Sequence, residues 1–130
     1  MNNLIHATWK ENAISIRKEG FDMTKSEHVP RFGYGVYFMT SEDYGHGTES
    51  MSRIYCSIED KYILHLTHDE IRLMYPELGI DYQEGGMPEL VDYVLSRGYK
   101  AVEVSYVDGT SEVVVYDVNI IKYDKFDIRE

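Results

Sequence analysis

Two β-prone runs joined by an Asp-Gly turn constrain the fold of this chain more than any other feature of its sequence. Residues 101–107 are followed by Asp108-Gly109 and then by the run at 112–117. Asp-Gly between two such runs is a good signal for a β-hairpin, because the central residues of tight hairpin turns adopt positive φ. Residues 36–39 (VYFM) are equally rich in β-branched and aromatic side chains. The sequence therefore predicts a fold that is mostly β.

Four more segments have the length and composition of strands, namely residues 4–9, 53–58, 62–66 and 120–126.

Helical signals are shorter and lie between these strands. Asn12 is a candidate N-cap for a helix that ends at Gly20. Pro88 suits the first turn of a helix that ends at Gly98. With a third short helix over 68–74, we predict one α+β domain over residues 1–130, with two or three short helices.

Charge and cysteine content exclude several classes of function. The chain has a net charge of −10, and its densest basic patch, Arg17-Lys18, is followed at once by Glu19. General DNA or RNA binding needs clustered cations, so the charge argues against it. Cys56 is the single cysteine, which excludes a disulfide framework and a cysteine-rich metal site. The N-terminus lacks a signal-peptide pattern and no apolar run reaches about 18 residues, so we expect a cytoplasmic protein without a membrane partner.

Three segments carry a joint pattern: residues 4–8 (LIHAT), 32–38 (FGYGVYF) and 111–117 (SEVVVYD). In this order they resemble the His-Gly-Ser/Thr, Gly-x-Gly-[Ile/Val]-Tyr-Phe and Asn-Glu-Tyr-x-Val-Tyr-Asp strands of ADP-ribosyltransferases of the poly(ADP-ribose) polymerase-like branch. Residues 97–102 (RGYKAV) are also similar to a Gly-Tyr-Asp-x-Val segment of many bacterial and phage members. The resemblance covers nearly the whole chain, in a compact version. It implies an ADP-ribosyltransferase-like split β-sandwich.

The resemblance also implies a chemistry, with NAD+ as substrate and no metal. Breaking the bond between nicotinamide and ribose develops positive charge on the ribose, as in glycoside cleavage. Fixed negative charge and hydrogen bonds placed where that charge develops accelerate the step. Glu112 is then expected to be catalytic, by accepting a hydrogen bond from the nicotinamide-ribose hydroxyl and stabilising the cation. His6 would hydrogen-bond the other ribose, and Tyr37 would pack against one face of the nicotinamide ring.

Seven further residues are expected at or near the cofactor by the same resemblance. The main chain of Ala7, where the family usually has Gly, would hold the carboxamide, and Thr8 follows it. Arg31 is the candidate for the pyrophosphate, and Gly33 and Gly35 would let the loop turn sharply beneath the cofactor. Tyr44 would stack on the second face of the nicotinamide. Ser41 either contacts the ligand or caps the following helix.

Each of these residues, taken singly, also fits a structural role. A strand histidine, a core tyrosine and a solvated glutamate after a turn describe His6, Tyr37 and Glu112 equally well, and only their joint order indicates function. His65, His68 and Asp69 offer no recognised metal-ligand geometry, so we expect solvated or capping roles for them. The net charge of −10 favours a protein over a nucleic acid as the acceptor of the transferred ADP-ribose.

The acceptor and the rival activities remain open at the level of sequence. Arginine-modifying toxins usually carry Glu or Gln two residues before the catalytic Glu, where this chain has Thr110. This argues against arginine as the acceptor, and without an accessory helical domain we expect single transfer rather than chain elongation. Small members of the superfamily are typical of toxins and phage counter-defence effectors. The alternatives are an NAD+ glycohydrolase, a non-catalytic acidic binding module, and RNA 2′-phosphotransfer, for which basic residues are too few.

Overall fold

The residues that the structure describes form one mixed β-sheet and three α-helices. The computed structural model describes residues 1–23, 32–42, 48–78 and 88–129. Within them the strands are β1 (Leu4–Thr8), β2 (Val36–Met39), β3 (Ser52–Ser57), β4 (Ile63–Thr67), β5 (Ala101–Ser105), β6 (Ser111–Val115) and β7 (Lys122–Asp127). The helices are α1 (Lys10–Glu19), α2 (His68–Leu78) and α3 (Pro88–Ser96). None of the helices in these ranges is long and apolar enough to cross a membrane.

The seven strands lie in the order β4-β5-β6-β2-β1-β3-β7. β4 and β5 are parallel, and the other neighbours are antiparallel. β5 and β6 form the predicted hairpin, in which Gly109 has φ +87°. The α+β class is therefore confirmed, with three helices in the described residues. The order places β1, β2 and β6, which carry the three motif segments, side by side in the centre of the sheet.

Both faces of the sheet are covered, because apolar residues point alternately to opposite sides along its central strands. Val113 and Val115 of β6 belong to a first core cluster, together with Phe38 and with Ala13 of α1. Val114, between them, belongs to a second core cluster. That second cluster also takes in residues of β5, α2 and α3, including Val102, Val104, Ile71, Leu90 and Val94. The sheet thus separates α1 on one face from α2 and α3 on the other.

The ends of α1 differ in how well the sequence predicted them. β1 runs almost directly into the helix, whose N-cap is Trp9 without a side-chain cap. The Trp9 carbonyl accepts the first helical hydrogen bond, from the Ala13 N–H at 2.9 Å. Asn12 therefore lies inside the first turn, and its predicted capping role is wrong. The C-terminus is as predicted, since Gly20 has φ +81° and its N–H donates to the Ile16 carbonyl at 2.7 Å.

Candidate functional site

The sheet opens between β1 and β2. These strands share the single register pair Ile5–Met39, whereas β1 pairs with β3, and β2 with β6, along their whole lengths. Beyond Ile5 a side chain joins the two strands, since the His6 Nδ1 lies 2.8 Å from the Tyr37 carbonyl oxygen. A carbonyl can only accept, so Nδ1 carries a proton, and Nε2 is an acceptor when the ring is neutral. The strands thus part beside Tyr37.

Tyr37 and Glu112 lie on the same face of the sheet. Tyr37 is opposite Val114, and Glu112 is opposite Met39 on one side and Val104 on the other. Directly opposed residues in antiparallel strands share a face, so both side chains lie on the face of the second core cluster. Tyr37 packs against that cluster. Two of the three expected catalytic residues are therefore brought to one surface by adjacent strands.

The Tyr37 hydroxyl is held by the loop that precedes β2. It accepts a hydrogen bond from the Phe32 N–H and donates one to the Gly33 carbonyl, each at 2.8 Å. Gly33 has φ +95°, a conformation that favours glycine. Because the hydroxyl is bound to the main chain, the ring face is the part of Tyr37 suited to stacking on a planar ligand. This is compatible with the expected nicotinamide contact, which stays a prediction.

The Glu112 carboxylate has a partner that we did not predict from the sequence. The Tyr106 hydroxyl donates to Glu112 Oε1 at 2.7 Å. The centroid of the Tyr106 ring lies 5.1 Å from that of the His68 ring. The His68 ring in turn makes an edge contact with the Phe32 ring, at a centroid distance of 6.4 Å. His68 is half-buried at the start of α2 rather than solvated. The signal in the sequence was the Asp-Gly hairpin itself, which necessarily brings residues on either side of the turn together.

The His6 ring lies on the opposite face from Tyr37 and Glu112. It makes edge contacts with Phe21, at a centroid distance of 5.0 Å, and with Phe38, at 6.0 Å. Phe38 belongs to the first core cluster. His6 therefore reaches the opening between β1 and β2 from the side of the first core cluster, and the structure does not place its ring beside the Glu112 carboxylate.

The remaining expected contacts divide into described and undescribed residues. In the pairing of β1 with β3, Ala7 lies opposite Arg53, and the buried Thr8 lies opposite Ser52. Ser41 is half-buried just after β2. Arg31 and Tyr44, expected at the pyrophosphate and the nicotinamide, lie outside the described residues.

Gly35 is required for a reason other than the expected one. We expected it to let the loop turn sharply, but its φ is not positive, and of the two loop glycines the turn uses Gly33. A Cβ added at Gly35 would lie 2.5 Å from the Val115 carbonyl oxygen and 3.0 Å from Val114 Cγ1. The glycine therefore permits close approach of the chain before β2 to the main chain of β6.

A buried cation next to Ala7 was also missed. Arg53 is 4% exposed, and its Nη1 donates to the carbonyls of Thr48 at 2.6 Å and Met51 at 3.3 Å. Its Nε has no hydrogen-bond partner among the described residues, and Oε1 of Glu42 lies 3.9 Å from it. A lone arginine in a β-prone run carries no signal of burial in the sequence.

Comparison with known proteins adds no assignment. No protein-family profile matches the chain, and no curated protein is significantly similar to it in sequence. The case for a function consequently depends on the three motif segments and on where the fold places them.

Proposed function

We propose that this chain is an NAD+-dependent mono-ADP-ribosyltransferase of the poly(ADP-ribose) polymerase-like type. The observation that supports the proposal best is the adjacency of the three motif strands, in the order β6-β2-β1. Because consecutive strands such as β1 and β2 are usually neighbours, the informative adjacency is that of β2 and β6, whose motif segments are separated by about 70 residues of chain. The parting of β1 and β2 beside Tyr37 adds an opening at the point where the cofactor is expected.

In the proposed reaction the bond between the nicotinamide nitrogen and the ribose carbon breaks. The nicotinamide leaves as a neutral molecule with the bonding electron pair, and the ribose acquires positive charge. Glu112 lies on the sheet face shared with the Tyr37 ring, so its carboxylate supplies negative charge beside a nicotinamide stacked there. A nucleophilic atom of the acceptor then forms the new bond to the ribose carbon and releases its proton to solvent water.

The other residues bind and orient the dinucleotide in this proposal. His6 donates from Nδ1 to the Tyr37 carbonyl, and the acceptor character of Nε2 suits a ribose hydroxyl. Ala7 and Thr8 continue β1 beyond its one pair with β2, where the main chain can meet a carboxamide. Arg31 and Tyr44 keep their proposed roles at the pyrophosphate and the nicotinamide.

A protein is the proposed acceptor. The net charge of −10 favours a partner with a basic face and disfavours the phosphate backbone of a nucleic acid. By analogy with small bacterial and phage members of the superfamily, the target is a component of host defence or translation.

The test uses labelled NAD+ with a bacterial lysate and compares wild type with Glu112→Gln. Glu89→Gln, an exposed glutamate on α3, serves as the matched control. We expect a discrete labelled protein with wild type and with the control, and a loss of at least about 100-fold in labelling with Glu112→Gln.

Two other outcomes contradict this proposal in different ways. Glu112-dependent release of nicotinamide without a labelled macromolecule would identify water as the acceptor and the protein as an NAD+ glycohydrolase. Neither labelling nor nicotinamide release, with no affinity for NAD+, would leave an acidic binding module.

A further inference from the structure

We propose that Tyr106 is a positioning residue for the Glu112 carboxylate, an inference that rests on the proposed function. The Tyr106 hydroxyl donates to Glu112 Oε1 at 2.7 Å in a partly buried hydrogen bond. Oε2 makes no hydrogen bond to the described residues. In this proposal the two oxygens have different roles: the protein holds Oε1, and Oε2 accepts from the ribose hydroxyl of bound NAD+.

The main chain on either side of Tyr106 is held by the hairpin turn. The Tyr106 N–H donates to the Thr110 carbonyl at 2.8 Å, and its carbonyl accepts from the Gly109 N–H at 3.0 Å. The turn itself is closed by Asp108, whose carboxylate accepts from the Thr110 N–H at 2.9 Å and from its hydroxyl at 2.6 Å. These bonds fix the position of the Tyr106 Cα relative to β6.

The ring of Tyr106 is held independently of its hydroxyl. It packs against the second core cluster and lies 5.1 Å from the ring of His68. A tyrosine has two side-chain torsions, whereas a glutamate has three and loses more freedom when it is ordered. A donor fixed by both main chain and ring packing therefore orders the flexible carboxylate of Glu112 before the substrate arrives.

Positioning of this kind acts on the transition state more than on substrate binding. Positive charge on the ribose develops as the glycosidic bond breaks, so a displaced carboxylate weakens an interaction that is strongest at that stage. We expect Tyr106→Phe to lower kcat by about 10- to 100-fold, the range for a hydrogen bond to a charged group. The KM for NAD+ should change by less than about threefold.

Tyr55→Phe is the matched control. The Tyr55 hydroxyl donates to the Glu42 carboxylate, so this variant also removes a tyrosine–glutamate hydrogen bond. Tyr55 lies on β3, which β2 and β1 separate from β6. We expect its kcat and KM to equal those of wild type.

The decisive measurement is a double-mutant cycle on the rate of nicotinamide release, with thermal unfolding of each variant as a check on folding. In Glu112→Asp the carboxylate is one methylene shorter and cannot keep the same contact with Tyr106. If Tyr106 acts through Glu112, Tyr106→Phe will lower kcat in the wild-type background and have no further effect in the Glu112→Asp background.

Each other result overturns the inference. Equal and independent losses in both backgrounds, a change in KM as large as that in kcat, or an unfolded Tyr106→Phe protein would make the hydroxyl a structural group. A Tyr106→Phe protein as active as wild type would refute the inference and leave the proposed function standing. Absence of NAD+ turnover in wild type would overturn both.

Discussion

Tyr37 shows how one side chain can serve the fold and a candidate site at once. Its hydroxyl joins two main-chain groups of the preceding loop, the Phe32 N–H and the Gly33 carbonyl. Its own carbonyl accepts from His6 across the opening in the sheet. Because Phe32 and Gly33 are buried, the hydroxyl satisfies groups that water reaches poorly. The ring is thereby placed on the face that also carries Glu112.

We expect Tyr37→Phe to destabilise the protein by about 1–3 kcal/mol, since it removes hydrogen bonds from a buried loop while keeping the ring. Urea denaturation measures the change in the free energy of unfolding. Tyr34→Phe, in the same loop with Tyr34 63% exposed, is the control and should change stability by less than about 0.5 kcal/mol. Equal stability of the two variants would show that the Tyr37 hydroxyl contributes nothing to the loop.

Among the strand pairs, contact between β2 and β6 is what brings the second and third motif segments together. Four register pairs join these strands, from Val36–Val115 to Met39–Glu112. The chain just before β2 comes so close to β6 that only glycine fits at position 35. The relative position of Tyr37 and Glu112 therefore depends on a main-chain contact rather than on either side chain.

Gly35→Ala is expected to destabilise the protein by about 1–3 kcal/mol, because β2 must move away from β6. If the proposed function holds, the variant should also turn over less NAD+ per folded molecule. Gly98→Ala is the control. Gly98 has φ +84° but nothing within 4 Å of an added Cβ, so the cost is backbone strain of about 1–2 kcal/mol without loss of turnover. Combined chemical denaturation and rate measurements separate the two effects. Unchanged turnover in folded Gly35→Ala would show that the contact at Gly35 does not set the relative position of Tyr37 and Glu112.

At the scale of the whole molecule, the sheet holds a buried titratable group on each face. Cys56 belongs to the first core cluster and Tyr116 to the second. Burial, with a smaller effect from Asp124, raises the pKa of the Cys56 thiol from 9.0 to about 12. Burial also raises the pKa of the Tyr116 hydroxyl above its ordinary 10.0, while that hydroxyl donates to the Phe32 carbonyl at 2.6 Å. Both groups stay protonated in the folded protein at neutral pH.

Stability should therefore fall in alkali. A group whose pKa is raised by folding contributes stability that is complete below its unfolded pKa, here 9.0 for Cys56 and 10.0 for Tyr116. That stability is lost as the pH rises from those values toward the folded pKa, because only the unfolded chain releases the proton. We expect the Tm to decrease above about pH 9, as measured by calorimetry between about pH 8 and about pH 11.

Cys56→Ala is the variant that isolates the thiol. Of Cys56 and Tyr116, it removes the group with the lower unfolded pKa. The decrease in Tm should therefore begin about one pH unit higher than in wild type, even though the variant is less stable at neutral pH. A Tm that declines identically in wild type and Cys56→Ala would show that the thiol does not contribute to alkaline unfolding.

Local chemistry explains why much of the fold was predictable. The Asp108-Gly109 hairpin, Pro88 in the first turn of α3 and the end of α1 at Gly20 all depend on residues adjacent in the chain. The errors occurred where an interaction between distant segments overrode the local signal. Asn12 does not cap α1 because β1 runs into the helix at Trp9. Gly35 is required because a side chain there would collide with the carbonyl of Val115, and not because of the turn in which it lies.

The candidate site was likewise predictable only where it depends on local sequence. The sequence by itself determined which segments form strands, and the motif order singled out Glu112, Tyr37 and His6 as candidates. Only the tertiary structure decided that β1, β2 and β6 are neighbours, that β1 and β2 part beyond Ile5, and that the His6 ring lies on the other face. It also decided that Tyr106 holds the Glu112 carboxylate. Strand formation follows from local propensity and alternation, whereas strand partners and side-chain contacts follow from packing between segments far apart in the chain, which no local pattern encodes.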